Sequence, residues 1–447
     1  MLGFGNSSSN LAKIKFDFFS WFITLSPTMD FSEQFAKKIF STRIGGGSFG
    51  SGDQIYKFEK IKRARREALK NFPNRILINM GVGEPDDMAT DSTVEALCCE
   101  AKKYENRGYA DNGCDEFRSA AARYMQSLFS VSLNPKTEIV HSIGIKAALS
   151  ILPLCFINPG DVVLATVPGY PIFGTHSKYL MADVIGLPLC AKNNYLPDFE
   201  SIPNEILKRT KVVIVNYPNN PTGACATEKF FSELVALARE YKFLVINDAA
   251  YSALAFNRED RVSIFNANGA KEVALELHSM SKGFNMTGWR LGWVCGNEKL
   301  VGAYAHVKDQ SDSGQFLAIQ KAAAQTLNNL FIPENNGKKY SERMGKIVPI
   351  LKSCGFDVTP ARAGFFLYAH IPSSLEYNGE RVNFLLAEGF AEWMIKVLGI
   401  VVVPWDDVEP AVRFSMTFGS KETDEDELIN LFRDRMSNVR FKFHRAK

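Results

Sequence analysis

Four short apolar runs in the middle of the chain constrain its fold most. Each is rich in β-branched residues and almost continuously apolar, as is typical of strands buried on both faces. They are residues 161–167, 211–217, 243–248 and 273–279. Between two of them, residues 227–242 carry apolar side chains at helical period. This alternation predicts parallel pairing with right-handed crossovers, and therefore an α/β fold in which helices flank a mostly parallel sheet.

The C-terminal part of the chain follows another pattern. We predict a helix over residues 382–399, short strands at 401–403 and 412–418, and a final amphipathic helix at 424–436. Such a mixture is typical of a smaller α+β domain, which we expect to pack with N-terminal residues. The predicted division is an N-terminal extension at 1–34, a small domain built from 35–84 with 325–447, and a large domain at 85–324.

The N-terminus carries an apolar stretch at residues 16–25. It has about half of the ~20 residues that a membrane-spanning helix needs. Lys13 and Lys15 precede it, but Asp17 interrupts it and no clear small-residue cleavage site follows. We therefore expect residues 1–28 to be a disordered or misassigned leader.

Composition excludes several classes of protein. The chain has 447 residues and a formal net charge of +3, from 52 basic and 49 acidic side chains. These charges are interspersed, which argues against nucleic-acid binding and against a polybasic membrane surface. None of the eight cysteines forms a CxxC or Cys/His pattern. We therefore predict no metal site and a cytoplasmic protein with reduced, mostly buried thiols.

The stretch HSMSKGFNMTGWRLGW, residues 278–293, begins at the end of a predicted strand, where α/β sheets bind ligands. It places Lys282 among the hydroxyls of Ser279 and Ser281, with Arg290 eight residues on. This set suits a phosphorylated carbonyl cofactor, because the amine can form an imine while hydroxyls and guanidinium hold the phosphate. Arg290 would also disfavour the protonated form of Lys282. The alternative interpretation is a solvated turn after a strand.

Two further motifs follow predicted strands. NYPNNPTG, residues 216–223, is dense in turn formers, and NDAAY, residues 247–251, ends a strand with a carboxylate. An ordinary loop and a helix N-cap are the alternative explanations. A pyridinium nitrogen, however, needs such a carboxylate to stay protonated and withdraw electrons.

The three motifs, in this order and spacing, resemble those of the class I/II aminotransferases of pyridoxal-phosphate fold type I. The resemblance extends over about residues 40–440. It implies pyridoxal 5'-phosphate as cofactor, a large cofactor-binding domain with a smaller α+β domain, and amino-acid and 2-oxo-acid substrates. It also implies a homodimer with shared active sites.

The resemblance further implies a role for each matching residue. Lys282 matches the lysine that carries the cofactor and acts as general base, and Asp248 the carboxylate on its ring nitrogen. Asn220 and Tyr251 are expected to bind the cofactor's 3-oxygen, and Tyr170 is expected to stack on its ring. The expected phosphate-binding residues are Ser279, Ser281, Arg290, Gly144, Ile145 and Lys146. Tyr109, in RGYADNG, matches a tyrosine that reaches the phosphate in the neighbouring subunit.

Substrate contacts are implied in the same way. Arg413, in AVRFSMTFG, matches the arginine that grips the α-carboxylate, and Gly83, in GVGEPDD, matches a glycine lining the substrate pocket. Asn220 and Tyr170 are expected to contact the substrate as well as the cofactor.

Wider stretches, such as MGVGEPDD, ENRGYADNG and KDQSDSGQFLAIQKA, are similar to the bacterial LL-diaminopimelate branch of the family. That branch interconverts LL-2,6-diaminoheptanedioate and 2-oxoglutarate with tetrahydrodipicolinate and L-glutamate in lysine biosynthesis. Lys146 is then the candidate for the distal carboxylate, and Asn285 for a polar contact from the other subunit. Asp111 or Asn112 is the candidate for the distal ammonium.

Three alternatives stay open at this point. The chain could be an alanine, aspartate or aromatic aminotransferase, because SKGFNMTGWRLGW is shared with many such enzymes. It could be a fold-type I β-eliminating lyase with the same cofactor residues. It could also be a catalytically silent regulator, since fold alone does not give function.

Overall fold

The computed structural model of the chain describes residues 33–49, 57–419 and 423–443. The chain divides into two compact units, Met1–Ile55 and Tyr56–Lys447. The predicted leader at residues 1–28 lies outside the described residues.

The first unit contains helix α1 (Glu33–Ile39) and two 3-10 turns, Thr42–Ile44 and Gly46–Ser48. Gly45 joins the two turns with φ 106°, a left-handed conformation that glycine adopts without steric cost. The second turn follows it directly.

The second unit holds the strands that build the sheets. In chain order they are β1 (Ile78–Asn79), β2 (Ile139–Ser142), β3 (Val162–Val167), β4 (Asp183–Pro188), β5 (Thr210–Asn216), β6 (Leu244–Asp248), β7 (Ala274–Ser279), β8 (Gly292–Gly296), β9 (Phe366–His370), β10 (Ser374–Tyr377), β11 (Glu380–Asn383), β12 (Ile400–Val401), β13 (Val403–Trp405), β14 (Ala411–Ser415) and β15 (Arg440–Lys442).

Within the described residues, seven of these strands form one large sheet in the order β2-β8-β7-β6-β5-β3-β4. The five strands from β7 to β4 pair in parallel, whereas β8 runs antiparallel to both of its neighbours. The four apolar runs in the sequence are β3, β5, β6 and β7, which lie side by side. The predicted mostly parallel α/β sheet is therefore confirmed.

Helices follow the strands as crossovers and as covering layers. Those of the second unit are α2 (Lys57–Asn71), α3 (Asp91–Ala101), α4 (Asp115–Phe129), α5 (Ile145–Phe156), α6 (Ile172–Tyr179), α7 (Asn204–Arg209), α8 (Glu228–Tyr241), α9 (Ala270–Val273), α10 (Met280–Gly283), α11 (Glu298–Asp309), α12 (Leu317–Thr326), α13 (Phe331–Ser353), α14 (Ala387–Trp393) and α15 (Glu425–Ser437). None of the helices in the described ranges is long and apolar enough to cross a membrane.

Strand β5 shows why both faces of the sheet are covered. Val213 and Val215 belong to one core cluster together with the buried face of α8. Val212 and Ile214, which point the other way, belong to a second cluster with residues of α5 and α11. Because side chains alternate across a strand, a continuous apolar run requires an apolar partner on each face.

The C-terminal strands form separate small sheets. β13, β14 and β9 pair antiparallel, as do β11, β10 and β15. Their core cluster also includes buried residues of α13, α14 and α15. The predicted smaller α+β part is confirmed. β1 pairs in parallel with β12, so residues 78–79 lie beside residues 400–401 within the second unit. The division into 1–34, 35–84 with 325–447, and 85–324 stays a prediction.

The predicted helix at residues 382–399 is wrong over its first part. Residues up to Asn383 belong to β11, which pairs with β10. The helix begins later, at α14, where the Asp406 carboxylate accepts hydrogen bonds from the backbone N–H groups of Ala387 at 2.7 Å and Glu388 at 3.3 Å. A remote residue therefore fixes the start of the helix, which local periodicity could not show.

All eight cysteines are free thiols. Contrary to expectation, Cys98 and Cys99 are exposed. The buried side of α3 carries Thr93, Ala96 and Glu100 at helical spacing, and the two cysteines lie off that face.

The capping contact predicts a stability effect. Asp406→Ala should destabilise the protein by about 1 kcal/mol, because two N–H groups at the start of α14 lose their acceptor. Urea unfolding should detect this loss. Asp407→Ala, one residue along and also exposed, is the matched control. An equal loss of unfolding free energy in both variants would mean that the capping hydrogen bonds do not stabilise the protein.

Candidate active site

The carboxyl ends of β5, β6 and β7 lie side by side at one edge of the large sheet. The strand register pairs Asn216 with Asp248, and Asp248 with Leu277. Ser279 ends β7 and caps α10, where its hydroxyl accepts from the Ser281 N–H at 3.0 Å. The sheet therefore presents three polar segments at the edge where ligands of α/β folds bind.

A cavity of about 370 Å³ lies at this edge. Its lining residues are Gly83, Ile145, Lys146, Tyr170, Asn216, Asn220, Asp248, Ala250, Tyr251, Ser279, Ser281, Lys282, Arg290 and Arg413. Among the residues expected to bind cofactor or substrate, Gly144, Tyr109, Asn285, Asp111 and Asn112 lie outside this lining.

Lys282 lies on the short helix α10, and its Nζ donates to the backbone carbonyl of Gly83. Burial lowers the pKa of this amine to about 8. The Glu84 carboxylate opposes the shift, and the guanidinium groups of Arg413 and Arg290 reinforce it. A lysine with this pKa has an appreciable unprotonated fraction near neutral pH, which suits a nucleophile or a general base.

Asp248 ends β6 at the bottom of the cavity. Its carboxylate accepts from the Ala250 N–H at 3.2 Å, and its backbone carbonyl accepts from Asn216 Nδ2 at 2.7 Å. Burial raises the pKa of Asp248 to about 7, although the Ala250 N–H and the Lys282 charge lower it. A buried carboxylate of this kind favours a cationic ligand group beside it.

Arg413, on β14 of the small antiparallel sheet, also lines the cavity. Its guanidinium donates to Asn220 Oδ1 at 2.9 Å and to the Gly81 carbonyl at 3.1 Å, and it lies 4.0 Å from the centre of the Phe366 ring. These contacts fix the orientation of the planar group. A fixed guanidinium at a cavity wall is well suited to binding a carboxylate.

The start of α5 and the segment after β7 form an anion-binding corner. A methyl group on Gly144, which has φ 74°, would overlap the Arg290 guanidinium, so the close approach requires glycine. Arg290 Nη1 donates to the Thr287 carbonyl at 2.7 Å, which holds the side chain in place. Backbone N–H groups at a helix start, the hydroxyls of Ser279 and Ser281 and a guanidinium together suit a phosphate.

Tyr251 and Tyr170 supply the aromatic surface of the cavity. Burial raises the pKa of Tyr251 well above its usual range, so its phenol stays protonated and can donate a hydrogen bond. Tyr170 lines this cavity and also a neighbouring one of about 220 Å³. The two rings thus provide one donor and one flat apolar face.

The remaining predicted residues lie elsewhere in the chain. Tyr109 is 85% exposed. Asp111 and Asn112 follow it in the same loop, outside the cavity lining. Asn285 Nδ2 donates to the Met88 carbonyl at 3.3 Å.

Sequence reasoning missed several residues near the site. Glu84, an exposed carboxylate, and Asn216 both lie inside motifs that the sequence singled out, next to residues that were named. Glu276 and His278 form a buried hydrogen-bonded pair, with 2.9 Å between Oε2 and Nε2. Two polar residues at alternate positions of an apolar strand were the signal that could have revealed this pair.

The donor set fits pyridoxal 5'-phosphate. An amine of lowered pKa, a buried carboxylate suited to a cation, a phenol donor and an anion-binding corner surround one cavity. Lys282 would bind the cofactor's carbonyl carbon, Asp248 its ring nitrogen, and Ser279, Ser281 and Arg290 its phosphate. Fold and site together define a pyridoxal-phosphate enzyme of fold type I.

Comparison with known proteins gives the family. The model of the family "Aminotransferase class I and II" matches residues 75–430. The LL-diaminopimelate aminotransferase of Methanocaldococcus jannaschii is 46% identical over 421 residues, which covers 92% of this chain and 100% of the relative. That of Methanococcus maripaludis is 46% identical over 418 residues, with the same coverage of 92% and 100%.

Solved structures also resemble this chain. Substrate-bound BacF from Bacillus subtilis matches with a TM-score of 0.80 at 29% identity, over 92% of this chain and 100% of that chain. The chain belongs to the class I and II aminotransferases, and its cofactor is pyridoxal 5'-phosphate. The alternative of a catalytically silent regulator loses its support, because the groups that the chemistry needs surround one cavity.

Lys282→Ala should lower turnover by about 10²–10⁴-fold or more, because the amine that moves the proton is lost. The melting temperature should change little, since the side chain faces a cavity. Borohydride reduction of the wild-type holoenzyme, followed by peptide mass spectrometry, should place the pyridoxyl group on Lys282. Lys299→Ala, at an exposed lysine, is the control. A label on another lysine would contradict the assignment.

Proposed function

We propose that this enzyme transfers the amino group between LL-2,6-diaminoheptanedioate and 2-oxoglutarate, forming tetrahydrodipicolinate and L-glutamate, as a step of lysine biosynthesis. One observation carries the proposal: two relatives named LL-diaminopimelate aminotransferase match at 46% identity over 100% of their own length. Free thiols throughout the chain support a cytoplasmic location.

The chemistry divides between the cofactor and the chain. Bound pyridoxal phosphate supplies an electrophilic carbon for the amine and a ring that withdraws electrons from the substrate's Cα. Lys282 Nζ then takes the proton from Cα and returns it, for which its pKa of about 8 is suited. Asp248 would hold the ring nitrogen, and its negative charge would favour the protonated form of that nitrogen.

Substrate orientation depends on Arg413 and Asn220. We propose that the guanidinium forms paired hydrogen bonds with the α-carboxylate, while the 2.9 Å contact to Asn220 Oδ1 keeps its plane fixed. Holding the carboxylate in this way directs the bond between Cα and hydrogen towards Lys282. Such positioning accounts for much of the rate enhancement of enzymes.

The distal end of the substrate carries a second carboxylate and a second ammonium. Lys146, the second residue of α5, lines the cavity, and its side chain is exposed at the mouth. We propose that it pairs with the distal carboxylate. The distal ammonium would meet Asp111 or Asn112, and the substrate would gain a contact from Asn285, each from the second subunit of a homodimer.

Rates with LL-diaminopimelate, alanine, aspartate and tyrosine, each with 2-oxoglutarate, test the proposal. We expect the highest kcat/KM for LL-diaminopimelate, because an unpaired charge in a closed site costs several kcal/mol. The assay should follow glutamate formation. A higher value for alanine, aspartate or tyrosine would identify a general aminotransferase. Pyruvate and ammonia released without an oxo-acid acceptor would identify a lyase.

Lys146→Ala should lower kcat/KM about tenfold or more for dicarboxylic substrates and much less for alanine, because only the former need a distal cation. Lys299→Ala is a matched control, since Lys299 is the second residue of α11 and equally exposed. Equal losses on both substrates would mean that Lys146 serves the cofactor's phosphate.

A further inference from the structure

Lys308, on α11, is a buried cation outside the cavity. Its side chain has 0% exposure. Its Nζ donates to the backbone carbonyl of Asp111 at 2.6 Å and to Asp312 Oδ1 at 2.7 Å. Removing an ammonium from water costs several kcal/mol unless close partners compensate, so this lysine constrains the groups that it binds.

The loop that Lys308 binds is residues 108–114, which leads into α4. Four other contacts fix its backbone and side chains. The Ala110 N–H donates to the Ser313 carbonyl at 3.3 Å, and the Cys114 N–H donates to Gln320 Oε1 at 2.9 Å. Asn112 makes the other two contacts: its Nδ2 donates to Asp309 Oδ1 at 2.8 Å, and its carbonyl accepts from the His141 N–H at 3.3 Å. The 108–114 loop is thus attached along most of its length to the end of α11 and the residues after it.

The packing beneath the loop leaves little room for movement. Asp111 has φ 37°, in the left-handed region that most side chains avoid. A methyl group on Gly314 would lie 2.5 Å from the Asp111 nitrogen, so the two segments are in close contact. The Gly314 N–H donates to Asp312 Oδ1 at 2.8 Å, which joins this contact to Lys308.

Tyr109 lies at the end of this fixed loop and is nevertheless 85% exposed. The cavity of its own chain is lined by other segments. A rigid backbone that presents an aromatic side chain to solvent is suited to contact another molecule.

We propose that Lys308 and Asp312 are positioning residues, which hold the 108–114 loop so that Tyr109 enters the cofactor site of a second copy of the chain. The proposal rests on the homodimer proposed above and is independent of the amino donor. The ion pair would act on the partner's site, because the exposed Tyr109 side chain at the end of the loop lies outside the cavity lining of its own chain.

Lys308→Met tests the proposal, since methionine fills similar space without the charge. Lys299→Met, on the exposed side of the same helix, is the control. Titration of the apoenzyme with pyridoxal phosphate, followed by absorbance, should show a cofactor Kd raised about tenfold for Lys308→Met, as expected for the loss of a charged hydrogen bond. Because the partly buried Asp312 would then lack its cationic partner, the double variant Lys308→Met/Asp312→Leu removes both charges and should show the same weakening. An unchanged Kd in both variants would overturn the proposal.

A double-mutant cycle with Tyr109→Phe separates positioning from general stability. If Lys308 acts through Tyr109, Lys308→Met should add little to the effect of Tyr109→Phe on cofactor Kd. Full additivity of the two changes would contradict the proposal.

Heterodimers test whether the effect crosses the interface. In a dimer of Lys308→Met with Lys282→Ala, the one site that has Lys282 receives Tyr109 from an intact loop, so cofactor Kd should be near that of wild type. In a dimer of wild type with Lys282→Ala/Lys308→Met, that site receives Tyr109 from the altered loop and should bind about tenfold more weakly. Borohydride fixation at Lys282 counts occupancy of that site alone. The opposite pattern, equal values or a monomeric wild type would overturn the proposal, whereas a different preferred donor would leave it intact.

Discussion

The burial of Asp248 beside Lys282 is the constraint on which the rest of the site depends. Burial raises the pKa of the carboxyl to about 7 and lowers that of the amine to about 8. Each group is therefore close to changing its charge near neutral pH, where a free carboxyl and a free amine would both be fully ionised. Asp248 would hold the cofactor's ring nitrogen, because a cationic group beside this buried carboxyl favours its ionised form. Lys282 keeps enough unprotonated amine to accept a proton.

The segment Gly81–Gly83 orients two cations of the cavity, Lys282 and Arg413. Backbone carbonyls of Gly81–Gly83 accept hydrogen bonds from Arg413, Thr417 and Lys282. Asp86 lies three residues after Gly83 and forms an ion pair at 2.6 Å with Arg343 on α13, which fixes the segment. The segment therefore links the C-terminal sheet, which carries Arg413, to the helix after β7. Their relative position sets the geometry of proton transfer, since an error of about 1 Å can cost 10²-fold in rate.

Sequence alone predicted those features that are decided locally. Strands β3, β5, β6 and β7 have apolar runs that no exposed segment would carry, and the polar residues at their ends follow directly. β4 escaped prediction because most of its side chains are at least partly exposed at the sheet edge. Contacts between segments distant in sequence could not be predicted from local patterns. Asp406 determines where α14 begins, and the Glu84 carboxylate raises the pKa of Lys282, which lies almost 200 residues later. The placement of Tyr109 depends on Lys308, whose role no motif indicated.

The charge of the cavity limits what it can bind. Its lining contains four cationic side chains, Lys146, Lys282, Arg290 and Arg413, and the carboxylate of Asp248. The chain as a whole has a net charge of +3, so positive charge is concentrated at this site. On the proposed function, the cofactor phosphate would pair with Arg290 and the substrate's α-carboxylate with Arg413, while Lys282 would hold the cofactor's carbonyl carbon. Lys146, an exposed cation in the lining, would then be the group without an anionic partner from cofactor or α-carboxylate, and a second carboxylate on the substrate would complete the balance. The electrostatics of the site therefore favour dicarboxylic substrates over alanine, independently of the relatives' names.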